Sequence, residues 1–463
     1  MKKFMLAVVA AALVLTSSAA MAEVTVGGGL ALRYEYWKNL KFNNTSAKVD
    51  DTQSFLAVNV KLNVDAKIAE GLETFIELQT QTTGANLGNT AATGAVPNNS
   101  NAALNYFNFQ KNDMHVNQAW VNFTLPGTTV GIKAGHQPIA LGHGIWLDST
   151  REGSDAVLVY AKPVPELLVA GAYISGRGTG TSNPALFDGS ITGDANFYAA
   201  LANYTFAENN TAGINVTFAD DNASAIGGVV KNIRAFNTGI TADGKLGAVS
   251  YKAEADWLTG RRLNTFGTKN YRFNAYAAMA GASVDVGAVK VGGEVVYGTG
   301  NHANDRKVLY NPGGAGVGSD SITDHAYFVP YGATSYNYAF LYNDKIGQGP
   351  RGAGGGNGYG DGFGGFGLAN TSYIKLTAGM NPTDKLSVGA EVLYLRATGQ
   401  QFGDQAKSLG WEADAKVGYK LYDNLNFNLT GGAFIPGAWY KFGGTQTKMS
   451  NAYGAEAKLV AKF

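Results

Sequence analysis

The chain has 463 residues, of which 62 are glycine, 24 tyrosine and 23 phenylalanine, and only 15% are charged, well below the ~25% usual for soluble domains. Its 36 basic and 35 acidic residues nearly cancel, so charge gives no reason to expect nucleic acid and no polybasic segment for anionic lipid. Cysteine is absent, which excludes disulfides, thiolate metal sites, iron–sulfur clusters and covalently attached haem.

Met1-Lys2-Lys3 precedes an unbroken apolar run from Phe4 to Leu15, then Ser17, Ser18 and Ala19-Ala20-Met21-Ala22. A basic start, a short apolar stretch and a small-residue site predict a secretory signal peptide over 1–22. That run falls short of the ~20 residues a helical span requires, and no later stretch reaches that length. Residues 23–463 read as one domain.

From there a two-residue alternation recurs to the end. Leu56, Val58, Val60, Leu62 and Val64 share one face, and Asn59, Lys61, Asn63 and Asp65 the other. Leu72, Ile76 and Leu78 oppose Glu73, Glu77 and Gln79. Tyr251, Ala253, Ala255 and Trp257 oppose Lys252, Glu254 and Asp256. Val289, Val291, Val295 and Tyr297 oppose Lys290 and Glu294. Trp411, Ala413, Ala415, Val417 and Tyr419 oppose Glu412, Asp414 and Lys416. The last segment sets Tyr453, Ala455, Ala457, Leu459, Ala461 and Phe463 against Glu456, Lys458 and Lys462. Each is a strand with one apolar and one wet face. Aromatic residues cluster near strand ends, as at Tyr34, Tyr297 and Tyr394.

Short turns are expected near Glu70-Gly71, Pro126-Gly127, 163–166, 208–210, Asp243-Gly244, 285–287, 381–384 and Asp423-Asn424. Longer segments lie near 38–51, 83–113, 136–155, 175–194, 219–231, 259–270, 299–371, 397–408 and 435–451. Short turns at one end and long loops at the other are the layout of a transmembrane barrel. Closure follows because lipid offers no partner to an unpaired backbone group. The expectation is an all-β, closed antiparallel transmembrane barrel of about 18 strands, with 16 as the lower count because 156–161 and 232–242 alternate weakly. A chain of soluble sandwiches would show domain breaks, whereas here the charged face persists through strand after strand.

That charged face predicts the lumen wall. It carries Arg33, Lys61, Lys133, Lys252, Arg272, Lys290, Lys375, Lys416 and Lys458, with Glu35, Asp65, Glu73, Glu77, Glu254, Asp256, Glu294, Glu391, Glu412, Asp414 and Glu456. The near balance argues against strong selection for either ion sign.

The whole pattern resembles Gram-negative porins and porin-like barrels. The segment from Ala452 to Phe463 alternates and stops on an aromatic residue. In the resemblance this implies that Phe463 is read by the barrel-assembly machinery. Val130 to Gly142 resembles a Gly-Arg-Gln stretch of alginate-export-type barrels, with His136 where arginine is usual, so the barrel carries over and the anionic substrate does not. The resemblance implies the cell outer membrane, contact with its lipid, and a water-filled channel for small hydrophilic solutes and ions. A homotrimer is left open.

By analogy with porins, the third long loop folds inward and narrows the channel. Its candidates are His136, Gln137, His143, Trp146, Arg151, Glu152 and Asp155, and charges of both signs at a constriction set selectivity. His136 and His143 match no metal-ligand spacing. Gly360, Gly362 and Gly365 fit Gly-x-Gly-x-x-Gly, but without the strand and helix a dinucleotide site requires. The glycine-rich loop near 299–371 also holds the aromatic-dense segment 327–342, which is read as a lid, a partial plug or an extracellular hairpin. No Gly-x-Ser-x-Gly is present and only His115 lies in a strand, so neither an enzyme nor a cofactor is expected. The competing reading is a structural or adhesive barrel, or a sheath that binds a partner.

Overall fold

The computed structural model describes residues 23–40, 52–80, 114–150, 153–177, 195–226, 229–264, 271–300, 322–325, 327, 336, 338–342, 346, 368–400, 406–441 and 449–463. The expected signal peptide, Arg151, Glu152 and the Gly360 motif lie outside them.

The first strand, β1 (Glu23–Lys38), pairs with β2 (Gln53–Ala69) on one side and with β19 (Ala452–Lys462) on the other. Between them run β3 (Leu72–Thr80), β4 (Met114–Thr124), β5 (Val130–Gln137), β6 (Ser154–Val164), β7 (Leu167–Arg177), β8 (Ala195–Ala207) and β9 (Asn210–Ile226). The circuit continues through β10 (Val229–Leu246), β11 (Val249–Asn264), β12 (Tyr271–Val286), β13 (Val289–Gly298), β15 (Ser372–Thr383), β16 (Leu386–Arg396), β17 (Ser408–Tyr422) and β18 (Leu425–Pro436). Each pairs antiparallel with its neighbours, so the ring of 18 strands has no edge. A short β14 (Ile322–Asp324) lies parallel to β12, outside the ring.

The alternation sorts the two faces as the sequence implies. On β17, Glu412 and Asp414 are buried inside the ring, while Trp411 is 52% exposed outside. Outer-face rings of Tyr173, Tyr198, Phe218 and Phe236 form a row across β7 to β10, with centroids 5.5, 6.2 and 4.6 Å apart. Tyr204, Phe206 and Tyr419 are exposed toward the turn end. Trp411 and Tyr419 stand about 26 Å apart along β17, at a rise of about 3.3 Å per residue. Two aromatic levels flanking an apolar band of that height match a bilayer core. Among the described residues no helix is long and apolar enough to cross a membrane.

Three expectations about connections change. Residues 219–231 belong almost wholly to β9 and β10, separated only by 227–228. Their polar sequence reads as loop, but a ribbon paired along its backbone needs no apolar face. Likewise β11 extends to Asn264. The turn expected at Asp243-Gly244 lies at Gly247, where φ is +61°. Gly244 is a strand residue, and the Asn210 side chain fills the space a β-carbon there would need. Asn210 Oδ1 then accepts from the Lys245 amide at 3.1 Å and the Tyr251 hydroxyl at 3.0 Å.

Candidate functional site

The buried hydrophobic cluster lies inside the ring, where inward side chains of the strands meet residues of two loops. Between β5 and β6 the chain makes a tight inward hairpin. Gly142 and Gly144 adopt φ of +56° and +82°, and the Leu141 amide donates to the Leu147 carbonyl at 3.0 Å. Ile145, Trp146 and Leu147 are buried. Ile139 and Leu141 bound a cavity of about 140 Å³ against Leu158, Ile174, Ala199 and Leu201 on β6 to β8. The tip reaches past β7, β8 and β9. There the His143 amide donates to Glu254 Oε2 at 2.5 Å, and His143 Nε2 lies 3.4 Å from Asp243 Oδ1.

The described residues between β13 and β15 also reach the inner wall. The Tyr327 hydroxyl donates to Asn237 Oδ1 at 3.2 Å, and its ring meets Trp146 edge-on at 6.2 Å. Tyr336 donates to Glu294 Oε2 at 3.0 Å. Tyr338 stacks on Tyr373 at 4.6 Å. The Leu341 and Tyr342 amides donate to the two Glu412 oxygens at 2.6 and 2.8 Å, and Phe340 lies 5.3 Å from the Trp37 ring. These residues thus follow the inner wall from β10 round to β1. Burial, then the charges of Asp256 and Glu254, raises the Tyr327 pKa. Burial, then Glu294, does the same for Tyr336. Both hydroxyls stay protonated as donors.

The wall charges are mostly paired. Arg33 Nε lies 2.7 Å from Glu35, Lys61 is 2.8 Å from Glu77, and Lys416 is 3.0 Å from Glu391. Glu294 receives Lys252 at 2.6 Å, Lys375 at 3.1 Å and the Tyr373 hydroxyl at 2.5 Å. Below it Gly281 and Gly292 leave a recess of about 350 Å³ that Lys252, Ser283, Lys375 and Thr377 also line. Lys133 sits 3.6 Å above the Trp120 ring centroid.

The expected site residues divide. His143 and Trp146 come together inside, with Glu254 and Asp256. Gln137 also points inward, but its amide serves the Lys133 and Ala156 carbonyls. His136 and Asp155 do not belong to a constriction. They pair at 2.8 Å on the outer face, the face of Val157 and Val159 and opposite to buried Gln137 and Ala156. Arg272 is also corrected. It is exposed and shares parity with Tyr276, outside, whereas Phe273 and Ala275 face in. Sequence reasoning missed the individual roles of Asn237, Tyr336 and Tyr338; the aromatic density of 327–342 was the signal for the two tyrosines, and Asn237 had none. Among the described residues no three His, Cys, Asp or Glu side chains converge as metal ligands.

No family model matches the chain, and no curated protein does. Solved structures do. OccK8 (OprE) of Pseudomonas aeruginosa superposes with a TM-score of 0.54 at 10% identity, over 95% of this chain and 98% of that one. The chain has the fold of a P. aeruginosa outer-membrane barrel. OccK11 (OpdR) gives 0.53 at 12% identity, over 95% and 96%. P. aeruginosa OpdK with vanillate gives 0.54 at 12%, over 95% and 98%.

Proposed function

We propose that the chain is an outer-membrane channel for passive diffusion of small hydrophilic solutes and ions. The observation that carries this is a closed ring whose inner wall bears paired charges while its outer face bears an apolar band between two aromatic levels. A ring of 16–18 strands is too wide for wall side chains to fill, so it leaves an aqueous lumen. The two inward loops then set its width. The third loop supplies His143 and Trp146 to the narrowing, and the longer loop supplies Tyr327 and Tyr336. Lys252 and Lys375 beside the recess suit a solute carrying a carboxylate, and the likeness to OpdK, whose structure holds vanillate, supports an organic solute of that size.

The same reading carries an exported precursor cleaved after 22, one barrel domain over 23–463, and the barrel-assembly machinery acting on Phe463. Phe463 bonds Gly28 through both backbone groups at the β1–β19 seam. Sedimentation in detergent would test for a homotrimer. Proteoliposome swelling tests the channel. Vanillate and small sugars should swell vesicles holding the protein, with a cut-off in solute size. No swelling with any solute would refute the reading.

A further inference from the structure

The buried carboxylates of the wall are not treated alike. Glu35, Glu77 and Glu294 each have a basic partner within 3 Å. Glu254 and Asp256, 3% exposed each, have none among the described residues. Asp256 Oδ1 accepts from Asn237 at 2.6 Å and Glu254 Oε2 from His143, which leaves Asp256 Oδ2 and Glu254 Oε1 without a donor. Two neutral oxygens beside them are also buried and unpartnered, Asn215 Oδ1 and Thr217 Oγ1. Asn215, Gly239 and Asp256 form one row across β9, β10 and β11. A β-carbon at 239 would lie 2.6 and 3.0 Å from Asn215 Nδ2 and Oδ1 and 2.8 Å from Asp256 Oδ1. The amide and the carboxylate therefore converge over a position that has no side chain.

Two adjacent carboxylates out of water require a counter-charge or a proton. A proton shared between Asp256 Oδ2 and Glu254 Oε1 would satisfy both open carboxylate oxygens but leave Asn215 Oδ1 and Thr217 Oγ1 without a partner. We propose that Glu254, Asp256 and Asn215 hold a hard divalent cation of calcium type. The donor set is oxygen only, its two negative charges match a divalent ion, and calcium accepts six to eight oxygens in irregular geometry, whereas magnesium dehydrates reluctantly. The second Glu-Ala-Asp, at 412–414, lacks this arrangement, since Asp414 has the Phe340 ring beside it rather than neutral oxygens. An ion at 254–256 would sit behind the Glu254–His143 bond and fix the third loop.

The test uses the purified, chelator-treated barrel in detergent with calcium chloride alone. Equilibrium dialysis should find one more calcium per chain on the wild type than on the Glu254→Gln, Asp256→Asn variant. Calcium should raise the wild-type Tm by several degrees and leave that variant unmoved. Asn215→Ala keeps both charges, and should bind calcium at least ten-fold more weakly should the double variant fail to fold. Equal binding by wild type and every variant would overturn the proposal. No calcium on the wild type would also overturn it, and assign the pair a shared proton.

Discussion

Two stretches of the inner wall hold their loops by different physics. Across β6 to β8 the wall is apolar, with Leu158, Ala172, Ile174, Ala199 and Leu201 facing in, and the third loop lies against it through Ile139 and Leu141. Across β11 to β17 the wall is charged, and the longer loop is held by directed bonds from Tyr336, Leu341 and Tyr342 to Glu294 and Glu412. Apolar burial is non-directional and tolerates repacking. A buried carboxylate that accepts two backbone amides fixes position and is costly to remove. The third loop combines both, with an apolar body and one carboxylate latch at its tip.

The largest effect should come from replacing 141–147 by two glycines, since Ala140 and Asp148 already face each other as a bridge. Single-channel conductance should rise several-fold. An unchanged conductance would move the narrowing to the longer loop. Next, Glu412→Ala strands two buried amides and should cost about 3 kcal/mol, read by thermal unfolding, with a smaller conductance rise. Glu412→Gln keeps an acceptor and should lose less than half of that, and equal losses would show that the bonds do not hold the loop.

Lys375→Gln should shift the reversal potential in asymmetric salt toward cations, because it uncovers Glu294. The shift should shrink near 1 M salt, where the Debye length is about 3 Å. A shift of opposite sign would contradict the wall assignment. Smallest of all, His136→Ala should leave conductance unchanged and cost under about 1 kcal/mol, since its pair with Asp155 is at the surface. A clear conductance change would return His136 to the lumen.

The barrel was legible because its physics is local. Alternation at two-residue pitch placed Glu254, Asp256, Glu294 and Glu412 inside without any knowledge of partners. The inward third loop was readable in principle from Leu141, Ile145, Trp146 and Leu147, since four bulky apolar residues suit burial better than a solvated loop. The errors came where chemistry was read ahead of parity. His136 drew attention as a histidine, yet its neighbour Gln137 points in, and a slip of one residue exchanges the faces. Arg272 lies in the part of β12 near β14, beyond the apolar band, where the outer face meets water and charge no longer marks the lumen. The partners of Tyr327, Tyr336 and Tyr342 lie 90, 42 and 70 residues away, and no local pattern encodes such pairing.

The central claim is that this ring encloses water despite its two inward loops. The most direct measurement is single-channel recording of the unmodified protein in a planar bilayer over a range of potassium chloride concentrations. The account predicts discrete steps whose conductance rises with salt and whose reversal potential shows only weak ion preference. A protein that inserts as a folded barrel yet gives no steps at any salt concentration would contradict it.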